Sequence, residues 1–203
     1  MSFNLGVDVS RETFERLERY ADLVRKWNPR VNLVAKSTLE ELWSRHFLDS
    51  AQLFQLAPDH AKTWADFGAG GGFPGLVIAI LAHELRPDMS VMLAESDARK
   101  SAFLRSVVRE TAINTKIVCE RVEEIPPLCA DVISARALAN LSKLFSLSHD
   151  HLATNGVMLF PKGKNWQSEL FEAQSKWRFN HQVVKSVTSD QSVILRISGV
   201  RRA

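Results

Sequence analysis

The sequence predicts an α/β protein with a mostly parallel sheet covered by helices on both faces. Three observations carry this. After Lys62, short apolar runs alternate with stretches of helical spacing. A glycine cluster follows the first of those runs directly, and the first sixty residues hold helical patterns with no strand signal. The expected division is therefore a helical extension over residues 1–60, packed on a single compact unit over residues 61–203.

In chain order, Val7 to Trp27 places Phe14, Leu17, Ala21 and Val24 at helical spacing among Arg, Glu and Lys, and Asn28-Pro29 predicts its stop. Ser10 followed by Thr13 is a weak start signal. A second helix is expected from Thr38 to about Leu56, ended by Pro58-Asp59. Thr63 to Phe67 is the first strand and Pro74 to Leu85 the helix after it. Strand Ser90 to Ala94, helix Asp97 to Thr111, strand Thr115 to Cys119 and strand Ala130 to Ser134 follow. Leu138 to Leu152 reads as helix, Val157 to Phe160 as strand and Asn165 to Trp177 as helix. Gln182 to Val187 and Ser192 to Ser198 are two strands joined by the polar turn at Ser189-Asp190, which predicts antiparallel pairing.

Composition sets broad limits. The chain has 203 residues, 45% of them hydrophobic and 24% charged, which is ordinary globular content. Lys and Arg number 26 against 23 Asp and Glu, a formal charge of +3, which permits an acidic partner without naming one. No apolar run is long enough for a membrane span, and Met1 to Asp8 carries no signal-peptide pattern, so a soluble, cytoplasmic protein is expected. Two cysteines, Cys119 and Cys129, are too few for a disulfide scaffold or a cysteine zinc cluster.

The most specific stretch is Asp66-Phe67-Gly68-Ala69-Gly70-Gly71-Gly72-Phe73-Pro74-Gly75, a strand-to-helix turn. It departs from a dinucleotide fingerprint in two ways: an acid ends the strand, and Phe73 holds the third glycine position. A pyrophosphate is disfavoured beside a carboxylate, whereas a ligand with a cationic amino-acid end is helped by Asp66, directly or through water. Glu95 ends the second strand, where a carboxylate can accept both hydroxyls of a ribose. S-adenosylmethionine is a common cofactor of that description.

The sequence also resembles the small-subunit ribosomal RNA guanine-N7 methyltransferases, the glucose-inhibited division protein B family. The resemblance lies in Trp27-Asn28 with Asn32-Leu33, in Arg45-His46-Phe47-Leu48-Asp49-Ser50, and in the Gly68 to Gly75 loop. It continues through Lys100, Phe103 and Leu104, Arg121 to Glu124, Ser134 to Ala137, and Lys162-Gly163. It implies a Rossmann-like class I methyltransferase fold with a seven-stranded sheet, S-adenosylmethionine as cofactor, and 16S ribosomal RNA or a small-subunit precursor as partner. It places Gly68, Phe73, Val122, Glu123 and Arg136 at the cofactor, in addition to Asp66, Gly70 and Glu95 from the loop reading. A monomer is expected.

Methyl transfer from a sulfonium is an in-line displacement, so the protein has to align the reactants more than move protons. Guanine N7 attacks through a lone pair and loses no proton, so it needs neither a base nor a covalent cysteine. Cys119 and Cys129 are read as inert, and the Asn/Asp-Pro-Pro-aromatic loop of amine methyltransferases is replaced by Ser134-Ala135-Arg136-Ala137. Arg136 is the catalytic candidate, as a positioning or guanine O6 contact. Lys100, Lys162 and Lys164 join it as candidate RNA contacts. Trp166, near Lys164, is a further nucleic-acid candidate. No metal site is expected: His46 and Asp49 share a helix face without a third ligand, and are read with Arg45 as pinning the N-terminal helices to the sheet. Two other classes stay open here, an NAD(P)-dependent reductase and a non-catalytic RNA-binding protein.

Overall fold

The computed structural model describes residues 4–203. The first three residues, on which part of the signal-peptide reading rests, lie outside the described residues. Among the described residues no helix is long and apolar enough to cross a membrane.

The elements follow in order as α1 (Arg11–Val31), a π-helical turn (Trp43–Leu48) running into α2 (Asp49–Phe54), β1 (Thr63–Phe67), α3 (Gly75–Leu85), β2 (Ser90–Ala94), α4 (Ala98–Thr111) and β3 (Thr115–Val118). They continue with β4 (Ala130–Ser134), α5 (Leu141–Ser148), β5 (Leu152–Lys162), α6 (Trp166–Gln174), β6 (Trp177–Lys185) and β7 (Val193–Arg202). The seven strands form one sheet in the order β3-β2-β1-β4-β5-β7-β6. The first five are parallel, and β7 runs antiparallel to both β5 and β6.

Strand residues alternate between two cores, as the two-residue period of a pleat requires. Trp64, Leu93, Val132 and Leu159 join the face covered by α1, α2, α3 and α4, where Leu17, Tyr20, Phe47 and Phe103 are buried. Ala65, Phe67, Ile133 and Phe160 face the other way, onto Phe145 of α5, Leu170 of α6 and Trp177. The helices after β1 and β2 therefore cover one face and those after β4 and β5 the other. The strand order reverses between β1 and β4, which opens a crevice at their carboxyl ends.

Several expected boundaries move, each for a local reason. Ser10 caps α1, its Oγ accepting from Thr13 N–H (3.2 Å). The helix then continues through Asn28-Pro29 to Val31 instead of stopping there. A proline this close to the end removes one backbone hydrogen bond, and the Asn28 side chain caps the exit from the helix by accepting from Leu33 and Val34 N–H (2.8 and 2.9 Å). The expected helix over 38–56 is realised as the π-helical turn and α2, after a 3₁₀ turn at Lys36–Thr38. Helix α5 starts at Leu141, capped by Asn140, so residues 138–140 belong to a loop. Trp177 begins β6 rather than ending α6.

Candidate functional site

The glycine loop is braced from behind by its acid. Asp66 is fully buried at the end of β1. Its Oδ2 accepts from Gly75 N–H (3.0 Å) at the start of α3, and its Oδ1 accepts from Ser134 Oγ (2.6 Å) on β4, which in turn accepts from Trp64 Nε1 (2.9 Å). Burial pushes the Asp66 carboxyl up from 3.8 to about 7, against the opposing pull of Ser134, Gly75 and Arg136. Asp66, expected to help a ligand directly or through water, is fully buried and holds the loop from behind.

A pH dependence follows. The unfolded chain releases this proton near pH 4 and the folded chain near pH 7, so folding takes up a proton between those values and stability falls as pH rises through them. The full linkage is about 4 kcal/mol by pH 8. Asn in place of Asp66 keeps its oxygen for Gly75 and turns its amide to Ser134. The expected result, read from urea unfolding at pH 5 and pH 8, is that wild type loses stability between the two pH values relative to Asp66→Asn. Parallel pH profiles for the two proteins would show an ordinary, ionised Asp66.

Glu95 ends β2 with both oxygens engaged, Oε2 accepting from Gly70 N–H and Oε1 from Asp97 N–H, each at 2.8 Å. Each oxygen retains a further lone pair. Asp97 caps α4 and accepts from Lys100 N–H (3.2 Å). The Lys100 side chain is half-buried on α4, outside both cavities described below. Gly70 has φ +56°, and a Cβ there would meet only the Gly68 carbonyl oxygen at 3.8 Å.

Phe73 is buried rather than lining the crevice. It stacks on Tyr20 (centroids 5.1 Å), meets Phe47 edge-on and lies under the Arg136 guanidinium (5.2 Å). Tyr20 donates to Gly71 O (2.6 Å), and burial raises its phenol well above 10, so it remains a donor. The N-terminal extension thereby supports the outer side of the loop.

Arg136 follows β4 and joins the sheet to the π-helical turn. It donates to Asp49 Oδ2 (3.2 Å), His46 Nδ1 (2.8 Å) and the Arg45 carbonyl (3.3 Å). The π-helical geometry aims these three acceptors at one guanidinium, which is a frequent use of such turns. Burial, Arg136 and Arg45 lower the His46 pKa to about 3, so its ring is neutral. Because Nδ1 accepts from Arg136, the proton lies on Nε2, which donates to Thr38 Oγ1 (2.8 Å). Arg45 takes part through its backbone, while its side chain reaches Glu41 (3.8 Å).

Asp49 Oδ1 also accepts from Gln52 Nε2 (3.0 Å) and from Thr188 Oγ1 (2.9 Å) in the β6–β7 turn. Gln52 holds the same turn through Ser186 Oγ (3.2 Å) and Val187 N–H (3.1 Å). Neither Thr188 nor Gln52 carried a sequence signal.

Two cavities lie along this edge. The first, about 200 Å³, is lined by Gly68, Ala94, Val122, Glu123, Leu138 and Leu147 among others. Glu123 is exposed at its rim and paired with Lys143 (3.1 Å); its own backbone N–H and Lys143 hold its carboxyl below the usual range. The second, about 470 Å³, is lined by Asp49, Arg136, Asn140, Lys162, Ser186 and Val193 among others. Leu138 and Ala139 border both.

The expected RNA lysines separate. Lys164 is exposed. Lys162 is not a free cation: its Nζ pairs with Glu169 (2.8 Å) and donates to Ala139 O (2.9 Å), with only 8% of the side chain exposed. Trp166, the further nucleic-acid candidate, is partly buried and packs against the α5–α6 core. Cys119 is half-buried and Cys129 exposed, both as free thiols.

Comparison with known proteins agrees with this architecture. Residues 13–196 match the family model described as GidB, rRNA small subunit methyltransferase G. The chain is 52% identical over 196 residues to ribosomal RNA small subunit methyltransferase G of Ruegeria pomeroyi, covering 97% of this chain and 96% of that protein. It is 48% identical over 199 residues to the protein of that name from Ruegeria sp. strain TM1040, covering 98% and 97%. Among solved structures, a SAM-dependent methyltransferase from Aquifex aeolicus matches with a TM-score of 0.60 at 13% identity, over 77% of this chain and 92% of that one. A TehB-like SAM-dependent methyltransferase from Corynebacterium glutamicum matches with a TM-score of 0.57 at 13% identity, over 90% and 98%. These two likenesses establish the class I methyltransferase fold.

Proposed function

The chain belongs to the rRNA small subunit methyltransferase G family, and from that membership we propose that it methylates N7 of a guanine in 16S ribosomal RNA, with S-adenosylmethionine as donor. The observation that carries the reading is the pair of adjoining cavities: one beside Gly68 suited to a nucleoside, the other beside Arg136 with both of its lining carboxylates, Asp49 and Glu169, held in ion pairs.

The residues fit the cofactor. Leu138 and Leu147 give the first cavity apolar walls for a planar base, and the Val122–Glu123 backbone lies along its edge. Glu95 has acceptor capacity left for ribose hydroxyls, and Gly70 leaves open space above the loop. The same arrangement disfavours a dinucleotide: the Gly70 N–H that would face a pyrophosphate already binds the Glu95 carboxylate, and a buried Phe73 replaces the fingerprint glycine.

Bound S-adenosylmethionine supplies an electrophilic methyl group. The chain's own contribution is alignment. Asp66 fixes the loop from behind, Glu95 sets its spacing from β2, and Arg136 holds the second cavity to a fixed geometry while presenting positive charge toward guanine O6 and phosphate. In the second cavity, Asp49 is engaged by Arg136, Gln52 and Thr188, and the adjoining His46 is locked between Arg136 and Thr38. Glu169, on the same cavity, is paired with Lys162, so the cavity's carboxylates serve as ion-pair partners, and N7 attack needs no base from them. Lys100 and Lys164 are proposed as backbone contacts. Action as a monomer is proposed.

Calorimetry with S-adenosylmethionine is expected to show binding without RNA. Labelled cofactor with small ribosomal subunits or naked 16S RNA is expected to leave the label on a single guanine whose N7 methylation renders the strand cleavable. Heat from NADH but not from S-adenosylmethionine would overturn the reading, as would label on an exocyclic amine.

A further inference from the structure

Lys162 and Glu169 form a partly buried ion pair on the wall of the second cavity, with no role assigned to it above. Glu169 Oε2 accepts both from Lys162 Nζ (2.8 Å) and from Leu141 N–H (2.9 Å), the first residue of α5. Lys162 Nζ also donates to Ala139 O (2.9 Å). The pair therefore grips both sides of Asn140, at the end of the loop that begins with Arg136.

That loop carries Leu138, a large apolar side chain that is 39% exposed, next to Ala137 in the left-handed region (φ +54°). Leu138 packs onto the glycine loop closely enough that a Cβ on Gly68 would lie 2.6 Å from its Cδ1. It is also a wall of both cavities. A ligand with its base against Val122–Glu123 and its reactive end at Arg136 has to cross the place where Leu138 rests.

We infer that Lys162 and Glu169 are positioning residues: their ion pair sets the loop so that Leu138 closes the passage between the two cavities, and cofactor enters by displacing Leu138. The inference rests on the cavities serving cofactor and RNA as proposed above. It assigns Lys162 to the loop and not to an RNA phosphate. In a protein whose competent form is a fraction of the total, apparent association is slowed by that fraction, and weakening the closed form raises it.

The test is stopped-flow binding of S-adenosylmethionine, without RNA, to wild type, Lys162→Met, Glu169→Gln and Leu138→Ala. Association is expected to rise about tenfold in the two pair variants with dissociation unchanged, and the Lys162→Met/Glu169→Gln double variant is expected to be no faster than either single one. Leu138→Ala is expected to raise association alike while leaving the pair intact, which keeps the test decisive if a pair variant folds poorly. A Lys162→Met protein with unchanged cofactor kinetics but a shallower salt dependence of RNA binding would overturn the inference in favour of a phosphate contact. Unchanged association in Leu138→Ala would overturn it as well. Wild type that binds no S-adenosylmethionine at all would instead defeat the functional reading itself.

Discussion

Arg136→Ala is expected to lower methyl transfer by about a hundredfold or more, because the guanidinium both walls the second cavity and holds that wall in place. The side chain is 18% exposed and its partner Asp49 15%, so the pair is largely shielded from water. Removing one member leaves a carboxylate without its counter-ion, at a cost of about 3 kcal/mol. The variant is therefore expected to lose stability as well as activity. Arg136→Lys separates the two effects. One ammonium keeps the charge but cannot reach Asp49, His46 and the Arg45 carbonyl with the planar fork that serves all three. Lysine is expected to recover most of the stability and little of the turnover, read from thermal unfolding beside single-turnover methylation. Full turnover in Arg136→Ala would remove the residue from the machinery.

The second large effect is expected at Gly75. A Cβ there would lie 2.6 Å from Asp66 Oδ2 and 2.7 Å from Leu93 Cγ, both in the core. Nothing nearby can give way without breaking the Gly75 to Asp66 hydrogen bond. Gly75→Ala is expected to destabilise by about 3 kcal/mol, and so to lower the melting temperature by about 10 °C. Gly70→Ala provides the contrast. Its left-handed backbone costs about 1 kcal/mol with alanine, but the methyl group enters open space, so the larger expected loss is cofactor affinity. Calorimetry and thermal unfolding of both variants check this, and equal effects on the two properties at Gly70 would contradict it.

The sheet was legible because parallel strands buried on both faces leave continuous apolar runs: Ser90 to Ala94 and Ala130 to Ser134 hold their expected bounds. Tertiary contacts decided the rest. The helix runs on through Pro29 to Val31 and is capped where Asn28 turns its side chain to the following chain, and the spacing of Trp43 to Leu48 gives no sign of a π-helical turn. Glycine spacing located the loop, but it gave no sign that Asp66 braces the turn from behind through Gly75 and Ser134. The Arg45 to Ser50 segment was read as a pin, and its acceptors do converge on Arg136. Lys162 looked like a phosphate contact because Glu169, its partner, lies a full helical start away in the chain. Leu138 passed for the opening of a helix, since an apolar residue before a helical run carries no mark of being a loop wall.

The grip of the β6–β7 turn on Asp49 and Gln52 has a consequence for biosynthesis. Translation delivers the glycine loop, Glu95 and the Val122 turn well before Thr188 and Val193 leave the exit tunnel. A nascent chain therefore lacks the wall formed by Ser186, Ser192 and Val193 until the closing hairpin docks, and since a compact unit folds as one, the second cavity is complete only once synthesis is nearly finished.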